Sequence, residues 1–182
     1  MLWMLLHTAS ADPDVLRPER TEVPIGREDR VIAAARERLG EPYRWEGRGT
    51  SRLPGYDCLG ILFRSFGSID GQRWSSYEVN PSQLVAGGKL GRPVPGLDGV
   101  LKEDLDVALL QRGDVLYFLW LGYRIPDDPL MTTTLGEYWP WHTAMYVGDG
   151  RVLHARPGGV VQEDALEDVV FDALFVTRGP PG

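Results

Sequence analysis

Cysteine is almost missing from this chain: Cys58 is the single example among 182 residues. One cysteine excludes an intramolecular disulfide and a cysteine-rich zinc cluster, so neither can account for the fold. Positive charge is also scarce. Lys and Arg number 19 against 26 Asp and Glu, leaving a net charge of −7. Without a dense basic patch the chain has no means of tracking a phosphate backbone, so no nucleic-acid partner is expected. Nor does any apolar run approach the ~20 residues of a spanning helix, so no transmembrane segment is expected. The opening MLWMLLHTASADPD has no basic start and only a short apolar centre. It reads as a poor signal peptide, and better as a first strand or a disordered leader. Internal repeats and low-complexity tracts are lacking too.

What remains is the composition of a folded protein, 43% hydrophobic and 25% charged, of a length that suits one core. Gly 22 and Pro 14 are spread among many short segments, which implies frequent turns and short strands. Residues 1–26 read as an extended N-terminal segment and residues 27–182 as a single domain.

Two helices are expected early. From Glu28 to Leu39, the residues Val31, Ile32, Ala35 and Leu39 share a face, and Gly40 with Pro42 stops the run. In CLGILFRSF at 58–66, Leu59, Leu62, Phe63 and Phe66 form a stripe that Asp57 can cap and Gly67 can close. Residues 68–99 read as a connector with a short helix around 81–86, and 121–141 as a long loop. Strands are expected at 115–120, 143–148, 151–155 and 169–178, with a hairpin turn at Asp149 and Gly150. Helices first and strands afterwards indicate an α+β fold with an antiparallel sheet.

The chemistry centres on Cys58. Following a capping Asp57, it falls in the first helical turn, where free amides and the helix dipole favour a thiolate and could receive an oxyanion. Its routine alternative is that of a small buried hydrophobe. A nucleophile needs a base, for which His142 is the candidate, with His154 orienting it; both could equally be ordinary strand residues. About the turn, the mirror position of His142 falls near residue 157, so bringing His154 alongside requires a register adjustment or bulge.

The stretches LGEPYRWEG and GYDCLGILF resemble the NlpC/P60 family of papain-like cysteine peptidases. That family has Pro-Tyr-x-Trp-Gly-Gly followed by Phe-Asp-Cys-Ser-Gly-Leu. RGDVLYF and HTAMYVGDGRVLHA resemble its later blocks, Gly-Asp-Leu-Val-Phe-Phe and His-Val-Gly-Ile-Tyr-x-Gly-x-Gly, which end in a second histidine. Four blocks in order, over residues 39–155, carry the likeness. It implies a papain-like core with N-terminal helices packed on an antiparallel sheet. It further implies Cys58 as nucleophile, His142 as base and His154 as third member, with Tyr43 and Asp57 lining the oxyanion side. No cofactor or metal is implied. Leu59 stands where the family has a small serine, and Glu46 where it has a glycine.

The implied activity is hydrolysis of an amide bond in peptidoglycan stem peptides through a thioester, a cell-wall-degrading thiol protease acting in the periplasm or outside the cell. A cytoplasmic location is also compatible with the weak leader. An inhibitor or immunity partner is expected if the protein is a toxin. Trp45, Trp139 and Trp141 are the candidate substrate wall. The alternatives are an amidase or acyltransferase of the same fold acting on another substrate, or a non-catalytic glycan- or peptide-binding module to which Trp139 and Trp141 belong. A zinc site from Cys58, His142 and His154 is a further alternative, as is a cation or glycosidase site from Glu103, Asp104, Asp106, Asp127 and Asp128.

Overall fold

The computed structural model describes residues 26–179. The expected N-terminal segment, with its leader reading, therefore lies outside the described residues except for Gly26.

Helix α1 (Arg27–Arg36) buries Val31, Ile32 and Ala35 and carries Glu28 and Asp29 in its first turn, where acids complement the dipole. It stops earlier than the expected Leu39. The Gly40 amide donates to the Val161 carbonyl, which draws the chain toward a strand and leaves Leu39 exposed. Helix α2 (Cys58–Asp70) starts at Asp57, whose carboxylate accepts the Gly60 amide at 2.6 Å. Gly67 does not close it. That residue is buried within the helix, and Gly71, at φ 66°, provides the left-handed C-cap one turn later. Helix α3 (Pro81–Gly87) begins with proline in its first turn.

Seven strands follow: β1 (Arg92–Leu101), β2 (Val115–Leu121), β3 (Met131–Thr133), β4 (Gly136–Gly148), β5 (Arg151–Ala155), β6 (Val161–Ala165) and β7 (Ala173–Arg178). They form one sheet in the order β1-β7-β2-β4-β5-β6, with β3 on the outer half of β4, and every pairing is antiparallel. The sequence reading misses β1 and β6. β1 carries Pro93 and Pro95 and is an edge strand, the one place where missing amide donors are tolerated. β6 is VQEDA, an acidic edge without an apolar alternation. The expected loop 121–141 also contains β3 and the first part of β4, whose Tyr138 and Trp139 are buried.

The sheet separates two apolar clusters. Ile61, Leu62, Phe63 and Phe66 of α2 pack with Tyr117, Met145, Val147 and Leu153 on one face. On the other, Leu116, Phe118, Ala144, Tyr146 and Val152 are covered by Val94, Leu97, Leu166 and Phe171. Alternation along β2, β4 and β5 produces this division, since successive side chains take opposite faces.

Candidate functional site

Strand β4 sets the histidines. A bulge at Val147 lies between the pairs Tyr146–Val152 and Gly148–Arg151. Without it the hairpin register would pair residue 142 with 157, placing His154 an odd number of residues away and on the opposite face. The bulge shifts the register by one, and His154 comes onto the face of His142. The two imidazoles then meet, His142 Nε2 to His154 Nδ1 at 2.6 Å. The far nitrogen of His154 reaches Asp164 Oδ2 on β6 at 3.0 Å, and Gln162 Nε2 donates to the other carboxylate oxygen at 2.7 Å. Asp164 was not legible as a site residue, because nothing in VQEDA marks it as a strand facing His154.

Burial, reinforced by neighbouring His154, holds His142 down at about 3. Burial also lowers His154, against the opposing influence of Asp164. Both rings are therefore neutral near pH 7. His142 stacks with Phe118 and with Trp141, and Trp141 stacks on Trp120 at 4.3 Å.

Cys58 lies at the start of α2 and borders the same cleft as His142 and Thr143. Burial, then the Asp57 carboxylate, pushes its thiol up, and contacts with Thr143 and the Leu59 backbone offset this only in part. The Thr143 hydroxyl makes no hydrogen bond of full geometry, and neither does His142 Nδ1. The thiolate expected from the helix terminus is thus not favoured: the dipole acts in its direction, but desolvation and the adjacent capping carboxylate outweigh it.

Asp57 is fixed by Arg48, whose Nη1 lies 2.6 Å from its carboxylate, both side chains being buried. The Arg48 guanidinium also lies over Phe63 and Trp74. Tyr43 sits behind this corner, its phenol pushed up to about 12 by burial and by the nearby Cys58 and Asp57. The cleft holds about 600 Å³ and is walled by Trp45, Trp74, Tyr123 and Trp141. Trp45 is 79% exposed. Trp139 is buried beneath the wall, its indole N–H directed at the Asp127 carbonyl, and does not line the cleft.

No group of three or more His, Cys, Asp or Glu able to hold a metal ion occurs among the described residues. Cys58, His142 and His154 thus do not make the zinc site considered above. The acidic residues also do not gather: Glu103 and Asp104 lie in one 3-10 turn, while Asp127 is bound to Ser82. No helix among the described residues is long and apolar enough to cross a membrane.

An α+β chain whose N-terminal helices pack on an antiparallel sheet, with a cysteine at a helix start beside a strand histidine, has the architecture of a papain-like core. Solved structures make this more specific. RipD from Mycobacterium tuberculosis, a non-catalytic NlpC/P60 domain protein described as adapted to peptidoglycan binding, aligns with TM-score 0.50 and 20% identity. That alignment covers 84% of this chain and 96% of RipD. An NlpC/P60 family protein from Bacillus cereus aligns with TM-score 0.54 and 22% identity, over 83% of this chain and 39% of that one. The peptidoglycan hydrolase RipB from M. tuberculosis gives 0.53 and 21%, over 84% and 64%. This chain thus spans less than two thirds of the latter two. No protein-family model and no curated protein sequence matches it. The chain has the NlpC/P60-like fold, as the sequence resemblance implied.

The expectation of a cysteine hydrolase is corrected. No Cys–His–acid triad is assembled among the described residues: His142 bonds His154 and His154 bonds Asp164, but no hydrogen bond joins Cys58 to His142. Burial keeps the thiol protonated, and His142, held down at about 3, is a poor base for taking its proton; the chain has no second cysteine. The fold does not restore the reading, since it also carries the non-catalytic RipD. The thiol-protease and cell-wall-degradation readings fall with it.

Proposed function

We propose that this chain is a non-catalytic binding module that takes a peptidoglycan-derived ligand in the cleft at the start of α2. The observation that carries the reading is the cleft itself, aromatic on its walls and closed at its floor by a neutral thiol and a neutral imidazole. Clefts of this volume with apolar walls and a few fixed polar groups are suited to holding small ligands. RipD, of the same fold, is described as adapted to peptidoglycan binding.

In this reading Trp45 and Trp141 are the ligand's walls, Cys58 and His142 its floor, and His154 holds the ring of His142. Asp57 and Tyr43 shape the corner behind the thiol, and Trp139 supports the wall from beneath. Sedimentation with purified peptidoglycan, together with mass analysis of muropeptides incubated with the protein, tests this. Retention without any cleaved product is expected. Trp45→Ala should bind about tenfold more weakly, as for an aromatic anchor. Muropeptide cleavage that disappears in Cys58→Ala would overturn the reading.

A further inference from the structure

Strand β6 supplies a polar pair to the histidines. Gln162 lies directly opposite His154 in the β5–β6 ladder, and Asp164, two residues along, lies opposite Val152 and on the same face as Gln162. The carboxylate is thus the diagonal neighbour of the imidazole, a separation that two polar side chains can span. Gln162 Nε2 donates to Asp164 Oδ1 at 2.7 Å, and the other oxygen, Oδ2, lies 3.0 Å from His154 Nε2.

The 2.6 Å contact between His142 Nε2 and His154 Nδ1 takes one proton between its two nitrogens. Burial keeps both rings neutral, and a neutral imidazole has a single N–H. Two arrangements are then open. In the first, His142 Nε2–H donates to His154 Nδ1, and His154 Nε2–H donates to Asp164. In the second, His154 Nδ1–H donates to His142 Nε2, which leaves His154 Nε2 bare, lone pair against lone pair, before the carboxylate. His142 Nδ1 is without a partner in either case, so the choice is made at Asp164. Burial pushes that carboxyl up, but the hydrogen bonds from His154 and Gln162 outweigh it and hold it below its usual value. The Arg156 guanidinium, 3.8 Å from Oδ2, acts in the same direction. An ionised carboxylate can only accept, which excludes the second arrangement.

We propose that Asp164 is a positioning residue: it fixes the proton of His154 on Nε2 and, through the contact between the rings, that of His142 on Nε2 as well. The imidazole at the floor of the cleft is thereby held in one tautomer and one orientation by a residue that does not line the cleft. The inference goes beyond the binding proposed above and is tested without any ligand, so the two can fail separately.

Nuclear magnetic resonance of protein labelled with ¹⁵N histidine, near neutral pH, reads the tautomers directly. In the parent the Nε2–H form of each ring should exceed the Nδ1–H form by at least about tenfold, as the cost of an unpaired buried acceptor requires. Asp164→Asn reverses the choice. With Gln162 still donating to the remaining oxygen, the new amide turns its N–H toward His154, and the protons of both rings should move to Nδ1. Asp164→Glu, which retains a carboxylate, should keep both on Nε2. So should Gln162→Ala, which removes a hydrogen bond from the same network and leaves the charge. A merely structural role for Asp164 would not exchange the tautomers. Nδ1–H on either ring of the parent, or Nε2–H on both rings of Asp164→Asn, would overturn the inference. Should Asp164→Asn not fold, the parent spectrum decides by itself.

Discussion

A thiol at a helix start feels the favourable end of the dipole, yet Cys58 also feels its own cap. Asp57 satisfies the Gly60 amide and places a carboxylate next to the sulfur, so the residue that makes the helix begin opposes ionisation of the residue that follows. The histidines have a related balance and a measurable consequence. His142 is held at about 3, and His154 is lowered as well, in both cases chiefly by burial. Unfolding returns each to an ordinary value near 6.5. Between these values the unfolded chain binds more protons than the native one. The contribution to stability is therefore complete above pH 6.5 and declines as pH falls toward 3. Each ring can contribute a slope of up to about 1.4 kcal/mol per pH unit. Thermal denaturation between pH 7 and 5, above the range where most carboxylates titrate, should show a falling Tm. A flat profile would mean that the native protein takes up protons on the pair as readily as the unfolded chain does.

At the scale of elements, α2 depends on a residue that helix propensity would exclude. A Cβ at Gly60 would lie 2.0 Å from the backbone oxygen of Gly47, so the loop carrying Trp45, Glu46 and Arg48 approaches the helix as closely as it does only over a glycine. Alanine raises intrinsic helix propensity by about 1 kcal/mol, so a helix considered by itself would be stabilised by Gly60→Ala. In this fold the same change should cost roughly 2 kcal/mol or more, because the obstructing atom is backbone and the loop must move. Urea denaturation followed by circular dichroism measures the sign directly. An increase in stability would show that the loop is not packed against α2. The β4–β5 hairpin illustrates a similar dependence: its Asp-Gly turn is plain in the sequence, with Asp149 at φ 52° and Gly150 at φ 68°, but the bulge that aligns the histidines has no local signature.

Across the whole molecule, the last strand is tied back to the centre of the sheet by a buried charge. Asp114, with no exposed surface, accepts from Arg178 Nε at 2.6 Å and Nη2 at 2.7 Å, and from the Gln111 amide at 2.8 Å. Removing the arginine would strand this carboxylate inside the protein. Arg178→Met should therefore destabilise the fold by roughly 3 kcal/mol, seen as a lower urea midpoint. The unchanged midpoint of a solvent-exposed ion pair would instead indicate that Asp114 is hydrated. Much of the architecture was legible beforehand because it is written in short-range chemistry. The Asp57 cap, the apolar stripe of α2, the alternation in β2 and the hairpin turn are each decided by neighbouring residues, and the four ordered motifs located the fold. The edge strands β1 and β6 were hidden because edge positions accept proline and acidic residues that interior strands reject. What the amino-acid order determined was thus the set of elements and the side chains delivered to one cleft. Whether Cys58 and His142 would be ionised and joined was decided only by tertiary structure, because desolvation, the one-residue bulge and the partner Asp164 all arise between segments distant in sequence.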